Sequence, residues 1–201
     1  MAIRSTQPKT ERAKTARRSS SGTRESVLQM LKDDHKHVKK AFRDFEKLDP
    51  HEEPERCAQL VEQTCNELEV HARIEEDLFY PAVRQAIQDE DLMHEAEVEH
   101  KTAKMLIEEL RGMSPEDEKF GATFTVLGEY VKHHIQEEEK EMFSQLERAK
   151  VDWTGLLEAM QTERNELMSD YGIGDGEATE MSERAGGRGS RGGGRSSGGS
   201  R

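Results

Sequence analysis

The sequence contains no run of 18 or more apolar residues, which excludes a helix able to span a bilayer. No apolar segment follows the basic N-terminus, so a secretory leader is not expected. Hydrophobic residues make up only 32% of the chain and aromatic ones 5%, with a single Trp. So few apolar groups cannot fill a thick core, and they must be concentrated in narrow stripes, as amphipathic helices concentrate them. Cysteine is scarce as well. Cys57 and Cys65 fall in one predicted helix, where eight residues of rise separate them by roughly 12 Å. That is too far for a disulfide, and the expected compartment is reducing and cytoplasmic.

Charge is abundant and unevenly spread. Charged residues are 36% of the chain and the net charge is -12. Residues 1–24 hold seven Lys/Arg and one acid, and residues 184–201 hold five Arg and no acid, which leaves 25–183 at -23. The first stretch is rich in Ser, Thr, Arg and Lys, and the chain from Gly186 is Gly, Arg and Ser alone. Neither can bury enough surface to offset its ordering entropy. The expected organisation is a disordered basic tail over 1–24, one helical domain over 25–170 and a disordered Gly/Arg-rich tail over 171–201. The basic stretches 1–24 and 184–201 carry no aromatics, so any contact they make with nucleic acid is expected to be weak, electrostatic and salt-sensitive.

Between the tails, apolar residues recur at alternating spacings of three and four. Leu28, Leu31, His35, Val38, Phe42 and Phe45 form a first stripe, opened by a Ser26/Gln29 capping box and ended by Asp49-Pro50. Cys57, Val61, Thr64, Leu68, His71, Glu75, Leu78 and Ala82 form a second, which Pro81 should kink or interrupt. Met93, Ala96, His100, Ala103, Ile107 and Leu110 form a third, closed by Gly112. Ser114-Pro115-Glu116-Asp117 reads as the N-terminus of a fourth, with Phe120, Phe124, Leu127, Val131, His134, Glu138 and Met142 as its stripe. A shorter piece with Trp153, Leu156, Leu157, Met160 and Leu167 is expected to pack across one end. The fold class is all-α: an up-down-up-down four-helix bundle with a short extra C-terminal helix.

Ionisable residues interrupt these stripes in a pattern. His35, His71, His100 and His134 occupy one stripe position on each helix, and His71 and His134 are each followed four residues later by a stripe glutamate, Glu75 and Glu138. Residues i and i+4 share a helix face, so each pair points to one place. Separations of 36, 29 and 34 residues bring the four histidines to one level of an antiparallel bundle. Buried without compensation, such groups cost several kcal/mol for each charge, so they satisfy one another or share a metal. Imidazoles with carboxylates and no thiolate favour iron or manganese over a structural zinc or an iron-sulfur cluster. His133-x3-Glu137 fits the same motif one register over, although the stripe favours His134 and Glu138. His37, His51 and His94 lie off the stripes and are read as surface residues, and Glu76, Glu137 and Glu139 as solvated charge.

The runs Asp34-His35-Lys36-His37-Val38-Lys39, His71-Ala72-Arg73-Ile74-Glu75-Glu76, Glu99-His100-Lys101 and His133-His134-Ile135-Gln136-Glu137-Glu138 resemble hemerythrin-like proteins of the HHE cation-binding type. The likeness spans roughly residues 26–148. It implies two iron ions, oxo- or hydroxo-bridged, with His35, His71, His100 and His134 as terminal ligands and Glu75 and Glu138 as bridges. The implied function is binding of dioxygen or reactive oxygen or nitrogen species for sensing, storage or detoxification. Turnover of peroxide or NO is left open, and an iron-responsive module whose basic tails contact a polyanion is the alternative. Oxygen-carrying relatives resemble a His-x3-His pair on the third helix, whereas Ala96 and Lys104 flank His100 here. One ion is therefore expected to keep an open position. Tyr80, just past the second motif, has two readings: packing, the commoner role for such a residue, or donation to a bound oxygen species.

Overall fold

A computed structural model describes residues 9–173, with side chains from residue 22 onward. All regular structure among them is helical. Helix α1 is Lys9–Phe45. Helix α2 is Pro54–Ile74, continued by a π turn, Glu75–Phe79, and an α-helical end, Tyr80–Val83. Helix α3 is Glu90–Arg111. Helix α4 is Phe120–Glu137, continued by a second π turn, Glu138–Met142, by Phe143–Gln145 and by a 3₁₀ turn, Leu146–Arg148. Helix α5 is Trp153–Asp170. No helix of the described residues is long and apolar enough to cross a membrane.

Helices α1 and α3 each pack against α2 and α4, which closes an up-down-up-down four-helix bundle. The stripes meet inside it as two apolar clusters. One, at the end with the α1–α2 and α3–α4 connections, contains Phe42, Phe45, Val61, Leu68, Ile107, Phe124 and Leu127. The other, at the opposite end, contains Leu31, Ile74, Phe79, Val83, Met93, Met142 and Leu146. Between them lies a polar layer made of the stripe histidines and glutamates. Helices α1 and α4 pack closely at Gly128, where an added Cβ would lie 2.8 Å from the Phe42 ring.

Several local expectations are corrected. Helix α1 starts at Lys9, inside the stretch that composition assigns to the N-terminal tail, and the expected capping box is not formed. Ser26 Oγ instead donates to the Gly22 carbonyl and Gln29 donates to Asp33, both bonds within a helix already under way. The helix ends at Phe45, four residues before Asp49. Ser114 does not cap α4: its hydroxyl accepts from Glu116 N in a separate turn, and α4 starts at Phe120. Pro81 neither breaks nor interrupts α2. Ahead of it, the π turn inserts one extra residue, the Tyr80 amide donating to Glu75 O, five residues back. Residues beyond that turn are rotated by one position, so Phe79 and Val83 are buried where the spacing predicts Leu78 and Ala82.

Helix α5 lies along the bundle rather than across its end, against α1 and α2. Arg164 pairs with Asp34, Glu163 lies 4.0 Å from Arg73, and Tyr171 reaches Glu69, so α5 runs parallel to α1 and antiparallel to α2. The Gly/Arg-rich C-terminal tail lies outside the described residues.

Candidate metal centre

The structure brings all six sequence-predicted residues together. His35, His71, Glu75, His100, His134 and Glu138 are between 0 and 7% exposed. Glu138 Oε2 lies 3.2 Å from His35 Nε2, and Glu75 Oε2 lies 3.2 Å from His71 Nε2 and 3.3 Å from His100 Nε2. His35 and His71 approach to 3.2 Å through their Nε2 atoms, and His100 and His134 to 3.1 Å. Two donor groups result: His35, His71, Glu75 and Glu138 in one, and Glu75, His100 and His134 in the other, with Glu75 common to both. The register alternative is resolved in favour of the stripe, since the His133 side chain is 60% exposed. His37, His51 and His94 are exposed, as the spacing predicts.

Each imidazole turns Nε2 inward and presents Nδ1 to a carboxylate on the preceding helix of the ring. Asp34 on α1 lies 3.4 Å from His71 Nδ1, and Glu76 on α2 lies 3.0 Å from His100 Nδ1. Glu99 on α3 lies 3.0 Å from His134 Nδ1, and Glu139 on α4 lies 2.9 Å from His35 Nδ1. This closed circuit fixes the ring orientations and makes each Nε2 the free donor atom. The sequence pattern did not yield Asp34 or Glu99, and it reads Glu76 and Glu139 first as solvated charge, with support of a ligand only the lesser reading. The signal available was adjacency: each of the four acids neighbours a stripe ligand in sequence while serving the histidine of the next helix.

Electrostatics follow from burial and these contacts. Burial alone would raise the Glu75 carboxyl, but His71 and His100 hold it well below the ordinary range. Burial, and then the charge of Glu75, push Glu138 up. Burial would lower His71, yet Glu75 and Asp34 raise it well above its usual value, and the same balance with Glu75 and Glu76 lifts His100 to about 9. The hydrogen bond from His100 brings Glu76 down to about 2. Tyr80, 4% exposed, places its hydroxyl 3.4 Å from both Glu75 Oε2 and His100 Nε2. Burial, then Glu138 and Glu75, keep it a phenol, so it donates.

Glu75 Oε1 and Glu138 Oε1 are buried without a hydrogen-bond partner, and Glu138 Oε2 has only its contact with His35 Nε2. An unsatisfied buried carboxylate oxygen is costly, and a cation removes that cost. Imidazole Nε2 atoms beside carboxylate oxygens, with no thiolate, form a donor set suited to transition-metal cations.

A helical bundle with a buried His/Glu layer of this kind defines a class of cation-binding proteins. The sequence model of the Hemerythrin HHE cation binding domain matches residues 26–146, and the chain belongs to that family. A "DNA nickase" from Nostoc sp. (strain PCC 7120) is 25% identical over 119 residues, which are 59% of this chain and 33% of that protein. The chain thus matches about a third of that relative's length. The fold is similar to the crystal structure of a Hemerythrin HHE cation binding domain-containing protein from Mycobacterium kansasii. The TM-score is 0.60 at 22% identity, covering 78% of this chain and 96% of the other.

Proposed function

We propose that the polar layer holds a pair of iron ions and that the protein binds dioxygen or reactive oxygen or nitrogen species, for sensing, storage or detoxification. The observation that carries this reading is the set of partnerless carboxylate oxygens facing four convergent Nε2 atoms. His35, His71, His100, His134, Glu75 and Glu138 would hold the ions, with Glu75 common to both donor groups. When bound, iron would supply redox chemistry toward the small ligand. Everything else is done by the chain: Asp34, Glu76, Glu99 and Glu139 orient the imidazoles, and Tyr80 Oη donates a proton-bearing contact toward Glu75 Oε2.

A cavity of about 30 Å³ adjoins the histidines, lined by apolar groups including Val38, Leu68, Ala103, Ile107 and Val131. It has room for a molecule about the size of water. Neither Ala96 nor Lys104 supplies a further imidazole: Ala96 is packed in the apolar cluster, and Lys104 pairs with Glu76. That supports a coordination position left for the small ligand. Lys104 lines both this cavity and a groove of about 870 Å³ between α2 and α3, whose wall includes Glu76 and Tyr80. The groove is the route by which a small solute reaches the layer.

The test is anaerobic loading with ferrous iron followed by air or NO, read in the near-ultraviolet and visible spectrum. Wild type is expected to develop charge-transfer bands, and the His71→Ala, His134→Ala double variant is not. A loaded wild type with an unchanged spectrum contradicts the reading.

The resemblance to a relative named DNA nickase, together with the two basic tails, favours a second reading, in which the tails contact nucleic acid while the acidic body does not. Removing residues 1–24 and 184–201 would then abolish a salt-dependent association with DNA, measured by fluorescence anisotropy, and leave the small-ligand spectrum intact. Binding that survives the truncation would contradict this second reading.

A further inference from the structure

We propose that Glu99, His133 and Glu137 form an outer site for a divalent first-row transition cation, on the solvent side of His134. Glu99 Oε1 and Glu137 Oε1 lie 3.8 and 3.4 Å from His133 Nε2, and one donor atom from each of the three residues falls within 4.8 Å of the others. The second Glu99 oxygen is already committed to His134 Nδ1. One carboxylate therefore faces both the buried layer and the outer site.

Charge separates this cluster from an ordinary solvated ion pair. The four carboxylates that orient the buried histidines occupy related corners of the bundle. Three of them are matched by a fixed cation: Asp34 by Arg164, Glu76 by Lys104 and Glu139 by Lys39. At the fourth corner, Glu99 meets His133, which carries no fixed charge, and a second acid, Glu137. Two carboxylates and an imidazole coordinating as the neutral base leave two negative charges, the amount a divalent ion compensates.

The two halves of the bundle repeat each other. His71 and Glu75 correspond to His134 and Glu138, so Val70 and Ile74 correspond to His133 and Glu137. Val70 and Ile74 are buried on α2, against which α5 packs. The loss of such cover explains why His133 and Glu137 are polar. It does not explain an imidazole and two carboxylates converging on one point, which is a nitrogen and oxygen donor set of transition-metal type.

The outer site is independent of which ion the buried layer holds, and its exposed His133 and half-buried carboxylates make it the weaker of the two. Cobalt(II) binding by the full chain, measured by equilibrium dialysis at excess metal, tests it directly. Wild type is expected to bind about one equivalent more than His133→Ala or His133→Lys. The lysine variant supplies the fixed cation found at the other three corners, so its melting temperature should not fall while its extra equivalent is lost. Anomalous scattering from cobalt-soaked crystals should place that ion between Glu99 and Glu137. Equal stoichiometry in wild type and both His133 variants overturns the proposal. The difference of one equivalent is read whether or not the buried layer loads, so failure of the outer site and failure of the iron reading are distinguishable.

Discussion

The four acids bonded to Nδ1 are what turn buried histidines into aimed donors. Each is a sequence neighbour of a stripe ligand, yet each acts on the next helix, so the pairing appears only once the bundle closes. Asp34→Asn and Glu76→Gln are expected to lower metal affinity by about ten- to a hundred-fold with little change in helix content. Titration with a chromophoric competitor measures this, and unchanged affinity would remove these residues from the orienting role. The metal-free protein should also show a two-sided pH profile. Glu76 falls from 4.5 to about 2 on folding, so its contribution is present above 4.5 and is lost as the pH falls toward 2. His100 rises from 6.5 to about 9, so its contribution is present below 6.5 and is lost as the pH climbs toward 9. The melting temperature of metal-free protein should therefore be highest between pH 4.5 and 6.5, with the acid-side loss reduced in Glu76→Gln. A flat profile from pH 4 to 9 would contradict this pairing.

At the scale of elements, the two π turns begin at the two glutamates of the polar layer, Glu75 and Glu138. An extra residue in a helix weakens the regular hydrogen-bond ladder and is tolerated mostly where it serves a site. Here it brings Tyr80 round to Glu75 and His100, and Phe143 into a stacked position 6.3 Å from His35. Period analysis follows each stripe up to its glutamate and then loses register on α2, because a regular 3.6-residue repeat contains no place for an inserted residue. Removing Asp77, an exposed residue within the first π turn, should restore a regular helix and keep Phe79, Tyr80 and Val83 on their present face. The variant is expected to melt no lower than wild type and, because the turn that begins at Glu75 is drawn back into α geometry and shifts that carboxylate, to bind metal more weakly, as circular dichroism and dialysis would show. A variant that retains full metal affinity would mean that the turn has no role at the site.

For the whole molecule, the bundle and its six interior ionisable residues are legible from spacing alone, because a stripe position occupied by histidine or glutamate has only the interior to face. Less is legible where the outcome depends on which surfaces meet. Leu156, Met160 and Leu167 mark α5 as amphipathic, but only packing shows that it lies along α1 and α2, where Arg164 reaches Asp34. That placement makes the two halves of the bundle unequal: one is covered by α5, whose Arg164 pairs with Asp34, and the other leaves His133 exposed and Glu137 half-buried.

The most direct test of the centre is the amount of metal retained per chain after ferrous loading under anaerobic conditions and desalting, which removes weakly held ions. The proposed iron pair, held by four imidazoles and two carboxylates, predicts about two retained irons in wild type. The His71→Ala, His134→Ala variant should retain fewer than one. A wild type that retains no iron, or a double variant that retains as much as wild type, would show that these six residues do not form the centre.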